Sequence, residues 1–319
     1  MLYVEANGAK IPAIGLGTWE LRGRTCARLV EQALRLGYRH IDTAQVYENE
    51  REVGEGLRAA HVKRDDVFVT TKVWTTHFAP NDLERSTKES LTKLRLSEVD
   101  LLLLHWPNPH VPLVETLGAL AHAKKLGMAR HIGVSNFTVA LLDEAVATCS
   151  EPLVCDQVEY HPYLDQTRVR EACARHGMAV VAYSPVAKGR IKGDETLVAI
   201  GKAHGKTPAQ VCLRWLVQQN AAVISALRSR MLLAASRERS RRRHWSARSN
   251  VLRGDRHLSD SEPSSARSAP LTQCSSNLAA GKVGRPSVAS RYCEHAGGNT
   301  FLHVDVKADL IVGPYTFLF

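Results

Sequence analysis

The chain has 319 residues, 44% of them hydrophobic, which is enough for one large core and a suitable length for an α/β barrel folded as a single unit. Its formal charge of +10 is unevenly held: residues 1–224 carry 27 Lys and Arg against 25 Asp and Glu, while residues 225–319 carry 15 against 7, so the basicity belongs to the tail and no nucleic-acid face is expected in the folded part. Seven cysteines without a C-x-x-C pair argue against a disulfide framework and against zinc, and the absence of a leader-like start or an 18-residue apolar run makes a cytoplasmic protein with no membrane segment the expectation.

The first predicted element is a hairpin, "LYVEANGAKIP" (2–12), turned by Asn7-Gly8. In a barrel it would plug the bottom. A strand is predicted over 14–18. The stretch "TCARLVEQALRLG" (25–37) follows as a helix with Leu29, Val30, Ala33 and Leu36 on one face and Gly37 as its stop. Strands are predicted over 39–43 and 67–73. A helix then opens on Pro80, Asn81 and Asp82 and turns Leu83, Leu91 and Leu94 inward. Further apolar runs at 99–105, 130–135, 153–159 and 178–184 read as strands buried on both faces. The helix over 207–219 has Thr207 as its cap and Pro208 at its first position. A last strand is predicted over 221–225. Eight strands alternating with helices at roughly 30-residue spacing predict an eight-fold (β/α) TIM barrel.

Active sites of such barrels lie at the C-terminal ends of the strands. The polar residues expected there are Asp42, with Tyr47 in the loop beyond it, Lys72, His105, Ser135, Asn136, Gln157, Glu159, Tyr183 and Ser184. Any one of them alone is explained as a polar strand end. Asp, Lys, Tyr and His together have a coherent chemistry. A buried Lys beside a Tyr favours the phenolate and is expected to lower the phenol's pKa. An Asp holds the ammonium in place, and a His orients a carbonyl oxygen toward the phenol, which gives general-acid catalysis of carbonyl reduction. There is no metal set and no Ser-His-Asp pattern, so the hydride must come from a cofactor.

At these residues the chain resembles the aldo-keto reductase family. The matching segments are "GYRHIDTAQVYENEREVGEGL" (37–57), "VFVTTKVW" (67–74), "DLLLLHWP" (100–107), "GVSNF" (133–137), "DQVEYHPYL" (156–164) and "VAYSPVAKG" (181–189). They come in the family's order and resemble bacterial 2,5-diketo-gluconate reductase-like members that reduce small aldehydes, keto-sugars and methylglyoxal. The resemblance implies NADPH as cofactor, a small carbonyl substrate and a monomer. It implies Tyr47 as proton donor, Lys72 and Asp42 as its tuning pair, and His105 as the carbonyl-orienting residue. Ser135, Asn136 and Gln157 would bind the nicotinamide carboxamide. Tyr183 would stack on the ring, and Ser184 and Val186 would line the pyrophosphate path. Trp19, Trp74 and Trp106 would wall the substrate pocket. His77 and Phe78 are weighed as further substrate contacts, and His161 and Tyr163 as structural.

After the eighth strand the resemblance stops. The family continues with Ile-Pro, a Lys or Arg, an Arg, and a Glu-Asn pair on the last helix, which grip the adenosine 2′-phosphate and adenine. Here "AAVIS" runs into "ALRSR", with Arg228 and Arg230 as chance substitutes. Residues 1–225 are therefore expected to be the barrel, and residues 226–319 an Arg/Ser-rich, poorly ordered tail with the last βα unit incomplete. A frame-disrupted gene would produce this pattern. Three readings follow: an NADPH-dependent reductase, a catalytically impaired barrel that has lost its adenosine-binding end, and a protein acting through its basic tail.

Overall fold

A computed structural model describes residues 1–225, together with the backbone of two short strands at Ile311–Val312 and Tyr315–Thr316. The rest of the expected tail, Arg228 and Arg230 included, lies outside the described residues.

Asn7 and Gly8 both adopt left-handed backbone (φ 42° and 84°), as a two-residue primed turn requires, and join β1 (Tyr3–Ala6) to β2 (Ala9–Pro12). The Asn7 amide donates to the Leu153 carbonyl at 2.7 Å and the His176 carbonyl at 3.0 Å, which ties the hairpin to the start of one later strand and to the loop that leads into the next. Eight parallel strands follow: β3 (Ile14–Gly17), β4 (His40–Asp42), β5 (Phe68–Val73), β6 (Val99–Leu104), β7 (Ala129–Ser135), β8 (Leu153–Glu159), β9 (Ala179–Tyr183) and β10 (Ala222–Ser225). β10 pairs with both β3 and β9, and this closes the barrel. The eight expected strands are found within two residues of their predicted ends. β11 (Ile311–Val312) and β12 (Tyr315–Thr316) pair with each other, antiparallel.

The helices are α1 (Gly23–Arg35), α2 (Glu50–Ala59), α3 (Pro80–Leu94), α4 (Leu113–Lys125), α5 (Val139–Thr148), α6 (Thr167–Arg175), α7 (Glu195–His204) and α8 (Pro208–Gln218). The expected cap of α8 is a full capping box: Thr207 Oγ1 accepts from the Gln210 backbone at 3.3 Å, and the Gln210 side chain accepts from the Thr207 backbone at 2.8 Å. Among the described residues no helix is long and apolar enough to cross a membrane.

Strand alternation sorts the core into two layers. Leu101 and Leu103 point into the barrel, where they meet Cys155, Val181, Ile224 and the hairpin residues Val4 and Ile11. Leu102 and Leu104 belong instead to the cluster between the strands and the helices, with residues such as Val30 of α1 and Leu83 of α3. This is why the strands read as unbroken apolar runs. β3 is bare on its inner face because the space is taken: a Cβ on Gly15 would fall 2.7 Å from Ile224 Cδ1, and one on Gly17 2.8 Å from Ile224 Cγ2.

Close helix packing gives a direct test. A Cβ on Gly54 of α2 would collide with the Leu94 carbonyl oxygen at the end of α3, whereas one on the exposed Gly118 of α4 meets nothing within 4 Å. Gly54→Ala should cost about 1–3 kcal/mol through overpacking. Gly118→Ala should stabilise by up to about 1 kcal/mol through helix propensity. Urea midpoints at unchanged slope will show the opposite signs.

Candidate active site

The residues expected at the rim stand at the C-terminal ends of the barrel strands. Asp42 ends β4, and Tyr47 closes a 3₁₀ turn (Gln45–Tyr47) just beyond it. Lys72 is the penultimate residue of β5, and His105 directly follows β6. Ser135 ends β7 and Asn136 follows it, Gln157 lies two residues before the end of β8, and Tyr183 ends β9.

Lys72 is fully buried, and each of its three N–H bonds has a partner: Asp42 Oδ1 at 2.5 Å, the Thr43 carbonyl at 2.9 Å and the Tyr47 hydroxyl at 3.4 Å. The second Asp42 oxygen, Oδ2, accepts from Gln157 Nε2 at 2.9 Å. One continuous chain of hydrogen bonds thus runs from Gln157 through Asp42 and Lys72 to Tyr47. Burial works against the Lys72 charge, but the Asp42 charge and the hydrogen bonds to Asp42 and Tyr47 outweigh it, and the pKa lies above the ordinary lysine value.

Lys72 acts on Tyr47 in the expected direction, but the net shift of the phenol's pKa is the opposite of the one expected. Burial raises the phenol's pKa, Lys72 lowers it by less, and the net shift is upward. The phenol is therefore protonated across the physiological range. His105 is pushed down to about 3, first by burial and then by the Lys72 charge. Its imidazole is neutral across the physiological range, and its buried Nδ1 has no protein partner. A neutral imidazole beside a protonated phenol and a buried cation can bind and protonate an oxygen that is gaining negative charge.

The rings are close. Trp19 meets Tyr47 edge-on at 4.9 Å between centroids, Tyr47 meets His105 at 5.6 Å, and Trp74 meets His105 at 5.2 Å. Trp19, beside Tyr47, is 52% exposed, and Trp106 is 45% exposed. Across the rim, the Tyr183 hydroxyl donates to Asn136 Oδ1 at 2.8 Å. Asn136 Nδ2 donates to the His105 carbonyl and to Ser135 Oγ, both at 3.0 Å. Ser184, at φ 50°, turns the chain out of β9 toward a further 3₁₀ segment (Ala187–Gly193), where Ala187, Lys188 and Gly189 are also left-handed. Val186 and Trp106 are placed at the rim by chain position alone.

Several residues fall elsewhere than expected or were missed. Phe78 is 2% exposed and belongs to the core cluster. His77 contacts Gln45 Oε1 at 3.3 Å. The structural reading of His161 and Tyr163 fits their contacts: His161 Nε2 to Glu159 at 3.2 Å, and the Tyr163 hydroxyl to Asp194 at 2.8 Å. Gln45 and Asn49 were missed. Gln45 Oε1 accepts from the Trp74 backbone at 2.9 Å, and its Nε2 donates to Ser90 at 3.1 Å. Asn49 is buried and donates to the carbonyls of Thr18 (2.8 Å) and Leu21 (3.0 Å), pinning the Tyr47 loop to the Trp19 loop. Their signal was their place in the "TAQVYENE" segment around Tyr47. Asp156 was also missed. It points away from the barrel interior and accepts from the Phe137 backbone at 3.4 Å, and burial lifts its pKa to about 7. Among the described residues, no group of three or more His, Cys, Asp or Glu could hold a metal ion.

The His105 shift makes a prediction about acid stability. The unfolded chain takes up a proton on this histidine below about pH 6.5, while the folded chain refuses it until about 3. Stability must therefore fall as pH falls through that window, by at most about 1.4 kcal/mol per pH unit from this group. His105→Gln should lose less stability than the parent between pH 6.5 and 4.5 in urea titrations.

Comparisons with known proteins bear on the same residues. The Aldo/keto reductase family profile matches residues 13–240. A methylglyoxal reductase, DkgB, of Salmonella typhimurium is 41% identical over 229 residues, covering 71% of this chain and 86% of that protein. A crystal structure provisionally described as a 2,5-diketo-D-gluconic acid reductase B is 48% identical with a TM-score of 0.71, covering 72% of this chain and 83% of its own. A Bombyx mori aldo-keto reductase solved in complex with NADP is 33% identical with a TM-score of 0.67, covering 71% and 83%.

Proposed function

The chain belongs to the aldo/keto reductase family, and from that premise we propose that it reduces small aldehydes and ketones, keto-sugars and methylglyoxal-like dicarbonyls among them, with NADPH as hydride donor and Tyr47 as proton donor. The observation that carries this reading is the buried chain Gln157–Asp42–Lys72–Tyr47, which ends on a protonated phenol beside a neutral histidine. The methylglyoxal reductase among the relatives supports the substrate class, and the NADP complex of the Bombyx mori enzyme supports the cofactor.

NADPH, when bound, supplies a hydride to the carbonyl carbon. The protein's part is binding, orientation and the proton. Ser135, Asn136 and Gln157 would hold the carboxamide, Tyr183 would offer its ring to the nicotinamide, and Ser184 and Val186 would line the pyrophosphate path. The substrate carbonyl oxygen takes hydrogen bonds from the Tyr47 hydroxyl and the His105 imidazole. As negative charge grows on that oxygen, the Tyr47 proton moves to it. The Lys72 ammonium stabilises the phenolate left behind, and Asp42 keeps the ammonium charged and fixed. Trp19, Trp74 and Trp106 shape the apolar wall and limit water. On this reading the substrate is a small carbonyl compound and the enzyme a cytoplasmic monomer.

A second reading rests on the sequence after Ser225, where the family's Ile-Pro and Glu-Asn signals are missing. Taking residues 226–319 as a tail outside the barrel, the adenosine end of the site is weakened and the chain is an impaired reductase from a frame-disrupted gene. Loss of several charge-assisted phosphate contacts would weaken NADPH binding by about 10²–10⁴-fold. Titration with NADPH and NADH, followed by tryptophan quenching, separates the two readings. Micromolar NADPH binding with a clear preference over NADH supports the active enzyme, and equally weak binding of both supports the impaired one.

Tyr47→Phe removes only the transferable proton. With methylglyoxal and NADPH, kcat should fall by about 10²–10⁴-fold, while the NADPH quenching curve stays where it was. An unchanged kcat would contradict the role given to Tyr47.

A further inference from the structure

The three side chains assigned to the carboxamide have little hydrogen-bonding capacity left, and what remains is mostly of one kind. Ser135 Oγ donates to the Gln157 carbonyl at 2.7 Å and accepts from Asn136 Nδ2 at 3.0 Å. Asn136 Nδ2 commits its other N–H to the His105 carbonyl at 3.0 Å, and Asn136 Oδ1 accepts from Tyr183. Gln157 Nε2 commits one N–H to Asp42 Oδ2 at 2.9 Å. What remains is lone pairs on Ser135 Oγ, Asn136 Oδ1 and Gln157 Oε1, against a single N–H on Gln157. The site asks its ligand for donors.

The orientation of Gln157 is the part that could have been otherwise. A side-chain amide turned end for end fills nearly the same space, and only its partners decide between the two orientations. Asp42 decides here. Its Oδ1 is held by the Lys72 ammonium, and its Oδ2 is a carboxylate oxygen that can only accept. Gln157 must therefore turn Nε2 toward Asp42 and keep Oε1 for the ligand.

We infer that Asp42, besides holding Lys72, is a positioning residue for cofactor specificity: through the Oδ2–Nε2 bond it fixes the polarity of the Gln157 amide, so that the site selects the –NH₂ of the nicotinamide carboxamide over a group of the same shape without it. The inference rests on the reading of Gln157 as a carboxamide ligand and adds a second role to a residue of the proton-donor chain. Charge tuning and cofactor recognition share one carboxylate, one function on each oxygen.

The inference predicts how the polarity can be inverted and restored. In Asp42→Asn, the introduced amide keeps its oxygen on Lys72 and turns its –NH₂ toward Gln157. Two –NH₂ groups cannot pair, so Gln157 turns over and shows donors to the cofactor. In Asp42→Asn with Gln157→Glu, the introduced carboxylate accepts from the introduced amide and again shows an acceptor to the cofactor, with the cluster's net charge as in the wild type.

The experiment measures dissociation constants by tryptophan quenching for NADP⁺ and for its 3-acetylpyridine analogue, which replaces –NH₂ by –CH₃. Binding needs no turnover, so the catalytic loss in Asp42 variants does not enter. The wild type should hold the amide form about tenfold tighter, the worth of one hydrogen bond. Asp42→Asn should bring the two within about threefold, and the double variant should return the ratio to about tenfold. Equal binding by the wild type overturns the inference alone, as does a full preference retained in Asp42→Asn. The wild-type ratio needs no substitution, so it decides even if a variant does not fold. No binding of either dinucleotide overturns the cofactor reading and this inference with it.

Discussion

An ammonium ion taken out of water costs several kcal/mol unless its charge and its N–H bonds are both answered. Lys72 is fully buried at the mouth of the barrel, and the surrounding strands supply the answer: a carboxylate from β4, a carbonyl from the residue after it, and a phenol from the turn beyond. Each partner must be in place for the others to be tolerated. The Tyr47 turn is accordingly fastened twice, by Gln45 to the Trp74 backbone and by Asn49 to the Trp19 loop. Gln157 is fastened to the same carboxylate. On the proposed reading, the proton-donating and cofactor-binding parts of the site are held together by one buried charge.

The barrel makes room for this by grading its interior. The hairpin closes the bottom with Val4 and Ile11, and a layer of Leu101, Leu103 and Ile224 lies above it. A neutral polar pair, His40 and Thr70, bonds at 3.1 Å within the wall. Asp42 and Lys72 come two residues further along the same strands, on the same face. The period of two that sets the core thus also aims the charged pair inward. The bare inner face of β3, at Gly15 and Gly17, leaves space for the Ile224 side chain from β10.

Much of this was legible in the sequence. Eight apolar runs of β-branched and leucine residues gave the strands, Asn7-Gly8 the hairpin, and Thr207-Pro208 the last described helix start. Polar residues at strand ends gave the rim, because several of them converge on one end of the barrel, although any one alone is explained as a polar strand end. What could not be read was what depends on long-range contact. Gln45 and Asn49 look like ordinary polar loop residues until the Trp19 and Trp74 backbones are brought beside them. The sign of the Tyr47 shift was misjudged because proximity to Lys72 can be guessed from a motif, whereas the depth of burial that outweighs it is a property of the packed fold. Phe78 was weighed as a substrate contact because it comes just past Trp74, and a turn of 3₁₀ helix (Thr75–His77) carries it into the core.

The central claim is that Lys72, held charged by Asp42, stabilises the phenolate formed as Tyr47 gives up its proton. Single-turnover reduction of methylglyoxal at saturating NADPH, compared between the parent and Lys72→Met across pH 6–9, tests it most directly, because it isolates the chemical step from cofactor affinity. The account predicts a fall of about 10²-fold or more in Lys72→Met at every pH, with the folded state and NADPH saturation retained. A single-turnover rate in Lys72→Met close to that of the parent would contradict it.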